Sequence, residues 1–283
     1  MLSKSTVGLF FLLLILGSVV TGLEAGLACP DWPLCHGKVV PPFRWDIYVE
    51  FSHRVLGAIA GIFLVILAFK RRKIYSPAYK KVPIIAITLL AIQVLMGGFV
   101  VMLKLPMNLT TIHFSTALII FSLVLFLAYF DESRKPKFSS DTFFGLFFFL
   151  SLLVLVQAGL GAYVRHSGAG LACPDFPKCL GFWVPPELSG IVLTHFLHRS
   201  LAYIIFAVFI FLLIYSNISD QLQKYKKKIG MVFGLIVIQI LLGVGIIHTK
   251  LFFVVTATHV FVALLILYIL INTWYSKNKQ STV

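Results

Sequence analysis

Eight apolar runs, each about the length needed to cross a bilayer, leave this chain few ways to fold. They lie at roughly 7–23, 46–69, 83–103, 109–130, 142–163, 190–215, 229–248 and 251–274. A hydrocarbon core takes about 20 residues of helix to span. Within it every backbone N–H and C=O must be paired inside the protein, so open chains there become helices. Composition agrees: the 283 residues are 59% hydrophobic with a mean hydropathy of +0.98, and 12% are charged. Soluble domains carry about 25% charged residues. The expected class is therefore an all-α integral membrane protein with eight transmembrane helices. The longest loops, about 24–45 and 164–189, are too short for a core of their own.

The formal charge of +14 invites a nucleic-acid reading, and the position of the charges excludes it. Lys70-Arg71-Arg72-Lys73 with Lys80-Lys81, then Arg134, Lys135 and Lys137, then Lys224 with Lys226-Lys227-Lys228 fall between alternate pairs of spans. With Lys4, Lys277 and Lys279, 16 of the 24 Lys and Arg lie on one side. The positive-inside rule puts these loops and both termini in the cytoplasm of a plasma (inner) membrane protein, with the cysteine-bearing loops outside. Lys4 before an apolar stretch and Ala28-Cys29 imitate a lipoprotein signal. Gly26 stands where that signal wants Leu, and Ala-Cys-Pro-Asp recurs at 172–175, so 7–23 is read as a retained first helix.

The chain repeats itself. Ala25-Gly26-Leu27-Ala28-Cys29-Pro30-Asp31-Trp32-Pro33-Leu34-Cys35 matches Ala169-Gly170-Leu171-Ala172-Cys173-Pro174-Asp175-Phe176-Pro177-Lys178-Cys179. Val40-Pro41-Pro42 matches Val184-Pro185-Pro186, His53-Arg54 matches His198-Arg199, and Gln93-x-x-x-Gly97 matches Gln239-x-x-x-Gly243. Thr111-Ile112-His113 matches Ala257-Thr258-His259. Four helices per copy is an even number, so both copies enter the membrane the same way round. The expected architecture is two four-helix bundles, residues 1–135 and 136–283, related by a pseudo-twofold axis along the membrane normal and divided at Asp131–Asp141. Gly57, Gly61, Gly97, Gly98, Gly159 and Gly161 read as close-packing positions without chemistry.

Five of the eight histidines, His53, His113, His195, His198 and His259, fall inside spans near their outer ends. Ionisable groups at such depth are costly and mark function by default. At 1.5 Å rise per residue His53 and His113 lie roughly 7–11 Å below the outer surface, and His198 and His259 roughly 12 Å. Each half thus offers two imidazoles in one layer, the pattern for axial ligation of haem iron between helices. Polar bridging between helices is the plainer alternative for any one of them. Zinc or copper fits less well, because two histidines leave a tetrahedral shell incomplete. Arg54 and Arg199 follow the ligands and either pair with haem propionates or snorkel to the headgroups. Glu50, one turn before His53, is where the repeat breaks: its counterpart is His195. A carboxylate there is either a helix-N-terminal Glu favoured by the dipole or a general base and cation stabiliser beside a macrocycle. Cys29, Cys35, Cys173 and Cys179 are all the cysteines present. In an oxidising outer compartment the first reading is a disulfide within each loop, Cys29–Cys35 and Cys173–Cys179, with redox exchange or a four-cysteine metal site as alternatives. His36, His166 and His248 are read as loop or interfacial residues.

With these residues assembled, the chain resembles the haem A synthase family of membrane proteins serving terminal oxidase assembly. The carriers are Cys-Pro-Asp-Trp-Pro-x-Cys, Glu-Phe-Ser-His-Arg and Thr-His-Phe-Leu-His-Arg, in that order across eight spans. The resemblance implies conversion of the C8 methyl group of haem O to a formyl group by successive hydroxylations, giving haem A. It implies a b-type haem in the C-terminal bundle on His198 and His259, and haem O as substrate in the N-terminal one at His53 and His113 with Glu50. It links activity to Cys29 and Cys35 more than to the second pair. Implied partners are the farnesyltransferase that makes haem O, an electron acceptor and the lipid bilayer, with no nucleic acid. Two rivals remain at this stage: a membrane thiol oxidoreductase passing electrons from outer cysteines to quinone, and a bis-His haem carrier or electron-transfer cytochrome.

Overall fold

The computed structural model describes residues 1–130 and 144–276. Among them are eight helices long and apolar enough to cross a membrane: α1 (Leu2–Gly22), α2 (Trp45–Ile74), α3 (Lys81–Met102), α4 (Met107–Tyr129), α5 (Phe144–His166), α6 (Gly190–Tyr215), α7 (Lys226–His248) and α8 (Phe253–Ser276). The chain is an all-α, multi-pass membrane protein. Expected Asp131–Asp141, with Arg134, Lys135 and Lys137, lies outside the described residues, as do Lys277 and Lys279.

The ends differ from expectation where charge meets helix. α2 runs five residues past 69, through Lys70-Arg71-Arg72-Lys73, because cations suit a helix C-terminus. Arg71 also donates from Nε to Leu127 O (2.5 Å) and from Nη2 to Ala128 O (2.9 Å). It thereby satisfies carbonyls that the last turn of α4 leaves unpaired. α5 continues to His166, which is therefore helical and not in the loop.

By contacts the chain forms two compact units, Met1–Lys137 with Tyr275–Val283, and Phe138–Trp274. In the first, α1 packs on α2 and α4, and α3 packs on α2 and α4. Ala60, Leu64 and Ala68, four residues apart on α2, are wholly buried, as are Phe121 and Val124 of α4. In the second, α5 and α7 pack on α6, and Phe148 of α5 meets Trp274 of α8 at 5.0 Å between ring centroids. Phe209, Ile229, Leu264, Leu267 and Leu270 are buried there. Ile62, Phe99, Phe211 and Leu241 are more than half exposed, as lipid-facing residues of such helices are. In lipid these helices associate through packing, not water exclusion, so small residues and shape decide the contacts.

Candidate functional site

In each unit the outer loop is a compact knot. Cys29 is bonded to Cys35 and Cys173 to Cys179, with no free cysteine among the described residues, so a four-thiolate metal site is not formed. Cys35 bridges Lys38 and Cys179 bridges Phe182 in antiparallel fashion. The two residues between have positive φ, His36 (+55°) with Gly37 (+69°) and Leu180 (+56°) with Gly181 (+80°), the geometry of a tight hairpin turn. Asp31 accepts from His36 N (2.6 Å) and Gly37 N (2.8 Å); Asp175 accepts from Leu180 N and Gly181 N, both at 2.7 Å. These N–H groups, foremost those of Gly37 and Gly181, hold both carboxyls below the usual carboxylate range. His36 has a local task, with Nε2 2.9 Å from Ala28 O. His248 ends α7.

A single arginine ties each knot to the helix that follows. Arg54 donates from Nη1 to Asp31 O and Leu34 O (both 2.7 Å), from Nη2 to Cys29 O (2.8 Å) and from Nε to Glu50 Oε1 (2.9 Å). Arg199 donates from Nη1 to Asp175 O (2.6 Å) and Lys178 O (2.8 Å), from Nη2 to Cys173 O (2.6 Å) and from Nε to His195 Nε2 (3.1 Å). Four of five guanidinium N–H groups are thus spent within the protein in both units. Snorkelling to headgroups is not what these arginines do, and at most one N–H of each is left for a propionate.

Glu50 and His195 occupy the same position and are both buried. Each accepts from the arginine one turn on. His195 Nδ1 lies 2.8 Å from Ala169 O and so carries the proton, which leaves Nε2 as the bare acceptor and the ring neutral. Glu50 keeps a second oxygen, Oε2, to which nothing donates among the described residues. The repeat therefore breaks in charge, not in hydrogen-bonding role. Sequence reading missed this pairing, although the i,i+4 spacing of Glu50 to Arg54 and His195 to Arg199 carries it.

The four expected ligands fall at matched positions. His53 and His198 each come eight residues after the start of their helix (45 to 53, 190 to 198); His113 and His259 each come six after theirs (107 to 113, 253 to 259). His53 and His113 are close enough to interact electrostatically, and so are His198 and His259. All four are half-buried, and each ring lies on a glycine of the preceding helix. A Cβ added at Gly17 would sit 3.1 Å from His53 Cε1, at Gly97 3.1 Å from His113 Cε1, at Gly161 3.0 Å from His198 Cε1 and at Gly243 3.6 Å from His259 Cε1. Gly97 and Gly161 are thus seats for the imidazoles, a correction to their reading as plain packing positions; Gly17 and Gly243 belong to the same set. The Nδ1 atoms of His53, His198 and His259 are buried without a hydrogen-bond partner. Paired imidazoles in a glycine-lined space, with ring nitrogens the protein leaves unsatisfied, fit an axially ligated haem. No group of three or more His, Cys, Asp or Glu that could hold a bare metal ion occurs among the described residues.

Comparison with known proteins follows the same line. Residues 42–271 match the family described as cytochrome oxidase assembly protein, COX15-CtaA. The chain is 30% identical to the haem A synthase of Halalkalibacterium halodurans over 263 residues, covering 90% of this chain and 86% of that one. It is 30% identical to that of Shouchella clausii over 218 residues (72% and 71%) and 28% identical to that of Bacillus licheniformis over 264 residues (87% and 85%). On the match over most of its length, the chain belongs to the COX15-CtaA family of cytochrome oxidase assembly proteins.

Proposed function

We propose that this protein is a haem A synthase that oxidises the C8 methyl group of haem O to a formyl group by successive hydroxylations. The observation that carries the reading is the paired glycine-seated histidines in each unit, with a carboxylate beside them in one unit only. In this reading residues 1–135 and 136–283 are two four-helix bundles related by a pseudo-twofold axis. Both termini are cytoplasmic and the disulfide loops face outward.

His198 and His259 would hold a b-type haem, which supplies a one-electron redox centre when bound. His53 and His113 would hold the substrate, haem O, received from the farnesyltransferase that makes it. Each hydroxylation takes one oxygen from water and releases two electrons and two protons to an acceptor. Glu50 would take the proton: Arg54 holds Oε1, and Oε2 would accept from water. Arg54 orients Glu50 and holds it to the Cys29–Cys35 loop, which brings that disulfide within one residue's reach of the base.

The test is Glu50→Gln in protein expressed with a haem O source, followed by analysis of extracted haem. Glutamine keeps an acceptor for Arg54 and removes the base. Accumulation of haem O or its hydroxylated form in a folded, haem-containing protein is expected; undiminished haem A would remove Glu50 from the chemistry. The wild-type control separates the rivals. A low-spin b-type spectrum is not expected of a thiol oxidoreductase, and haem A is not expected of a carrier.

A further inference from the structure

The seat glycines of α1 and α5 are followed, four residues on, by unlike residues. Gly17 leads to Thr21 and Gly161 leads to Arg165, at the same offset of 144 that relates Cys29 to Cys173. Four residues on is the next turn of the same helix face. On α5 that face meets α6. Gln157 Nε2 donates to His198 O (2.9 Å), and a Cβ added at Gly161 would sit 3.0 Å from His198 Cε1. Arg165 is the next step along it, one turn nearer the disulfide loop than the seat of His198.

Thr21 donates its hydroxyl to Gly17 O (3.2 Å), a bond within its own helix. Arg165 instead brings a permanent cation to the last turn of an apolar helix, where the residue is half-buried and its Nε buried. A snorkelling arginine keeps its charged head in water. The helix dipole favours a cation at either helix end, yet the last turn of α1 has none.

The loop ends of the two units differ in charge accordingly. In the first, Arg54 is close to two carboxylates, Glu50 and Asp31. In the second, Arg199 has Asp175 alone, because His195 is neutral, and Arg165 adds a further cation. Four of the five N–H groups of Arg199 already serve the loop and His195. Lys104 and Lys250 stand in matched exposed turns and do not distinguish the units.

Haem carries two carboxylates at one edge of the macrocycle, and a carboxylate taken out of water needs a partner. We propose that Arg165 binds a carboxylate of the haem held in the second unit. This charge-assisted contact has no counterpart at Thr21 and makes the second unit the one that retains its ligand. The proposal rests on the haem-binding reading above.

The test is haem release to excess apomyoglobin from purified full-length protein, loaded with haem b or with its dimethyl ester, which lacks the carboxylate charge. A His53→Ala parent confines loading to the second unit. Arg165→Gln in that parent should speed release of haem b roughly tenfold to a hundredfold, the worth of one hydrogen bond to a charged group, and leave release of the ester unchanged. Arg165→Lys, which keeps the charge, should recover most of the retention. A folded Arg165→Gln protein that releases haem b at the parent rate overturns the proposal. So does one that releases haem b and ester faster by the same factor, which marks a purely structural role. Should the variant not fold, the parent decides alone: it should lose the ester roughly tenfold faster than haem b, and equal rates overturn the proposal. Wild-type protein that takes up no haem overturns the function proposed above, and this inference with it.

Discussion

Glu50 accepts from Arg54, and the proposed reaction gives it a second job that its repeat counterpart lacks. His195 shows that the first, accepting from the arginine one turn on, needs no charge. Glu50→Ala should therefore lose more than chemistry: it removes one of the four bonds of a partly buried guanidinium, which costs about 1–3 kcal/mol. Glu50→His copies the other unit and should restore most of that stability while leaving haem A formation at background. Thermal unfolding and extracted-haem analysis on the two variants read the jobs independently. If Glu50→His is as unstable as Glu50→Ala, the two positions are not equivalent acceptors. The carboxylate's isolation was legible from the alignment of the halves. Its arginine partner is less legible, because an arginine beside a membrane histidine suggests headgroups or propionates before it suggests loop carbonyls.

At the scale of helices, glycine positions decide where an imidazole can stand. An alanine at Gly97 or Gly161 would bring a methyl to 3.1 or 3.0 Å from a histidine ring, so that the ring must give by a few tenths of an ångström, whereas at Gly243 the distance is 3.6 Å, an ordinary contact. Gly97→Ala and Gly161→Ala should each displace their histidine and sharply lower haem content at that unit. Gly243→Ala should be nearly silent. Haem-to-protein ratios from absorbance test the order, and equal losses at all three sites would point to general misfolding. Hydropathy located all eight helices because every span is apolar from end to end. It misplaced ends where charge extends a helix, as with Arg71 at the end of α2. The matched placement of the four histidines was legible from repeat and depth. Their seats were not, since a glycine on a membrane helix looks the same whether it faces another backbone or a ring. The Gln-x-x-x-Gly spacing on three helices was the signal available.

For the molecule as a whole, the charge asymmetry of the loops makes a topological prediction. With both cysteine loops outside, a membrane-impermeant phosphine added to intact cells or right-side-out vesicles should reduce Cys29–Cys35 and Cys173–Cys179. Inverted vesicles should protect both, as read by thiol alkylation and mass spectrometry. Reduction of one loop from each side would contradict the parallel orientation of the repeats. The loops themselves also set an electrical contrast. In the first unit a guanidinium is matched by a carboxylate; in the second it faces a neutral imidazole, and the loop aspartates, Asp31 and Asp175, cancel in the comparison. One unit thus keeps a balanced ion pair where the other keeps a net cation. An electron placed beside an unmatched cation lies lower in energy than one beside a neutral pair at equal distance. The substitution of a single residue type between two copies of one motif thus makes the arginine anchors of the two units electrically unlike.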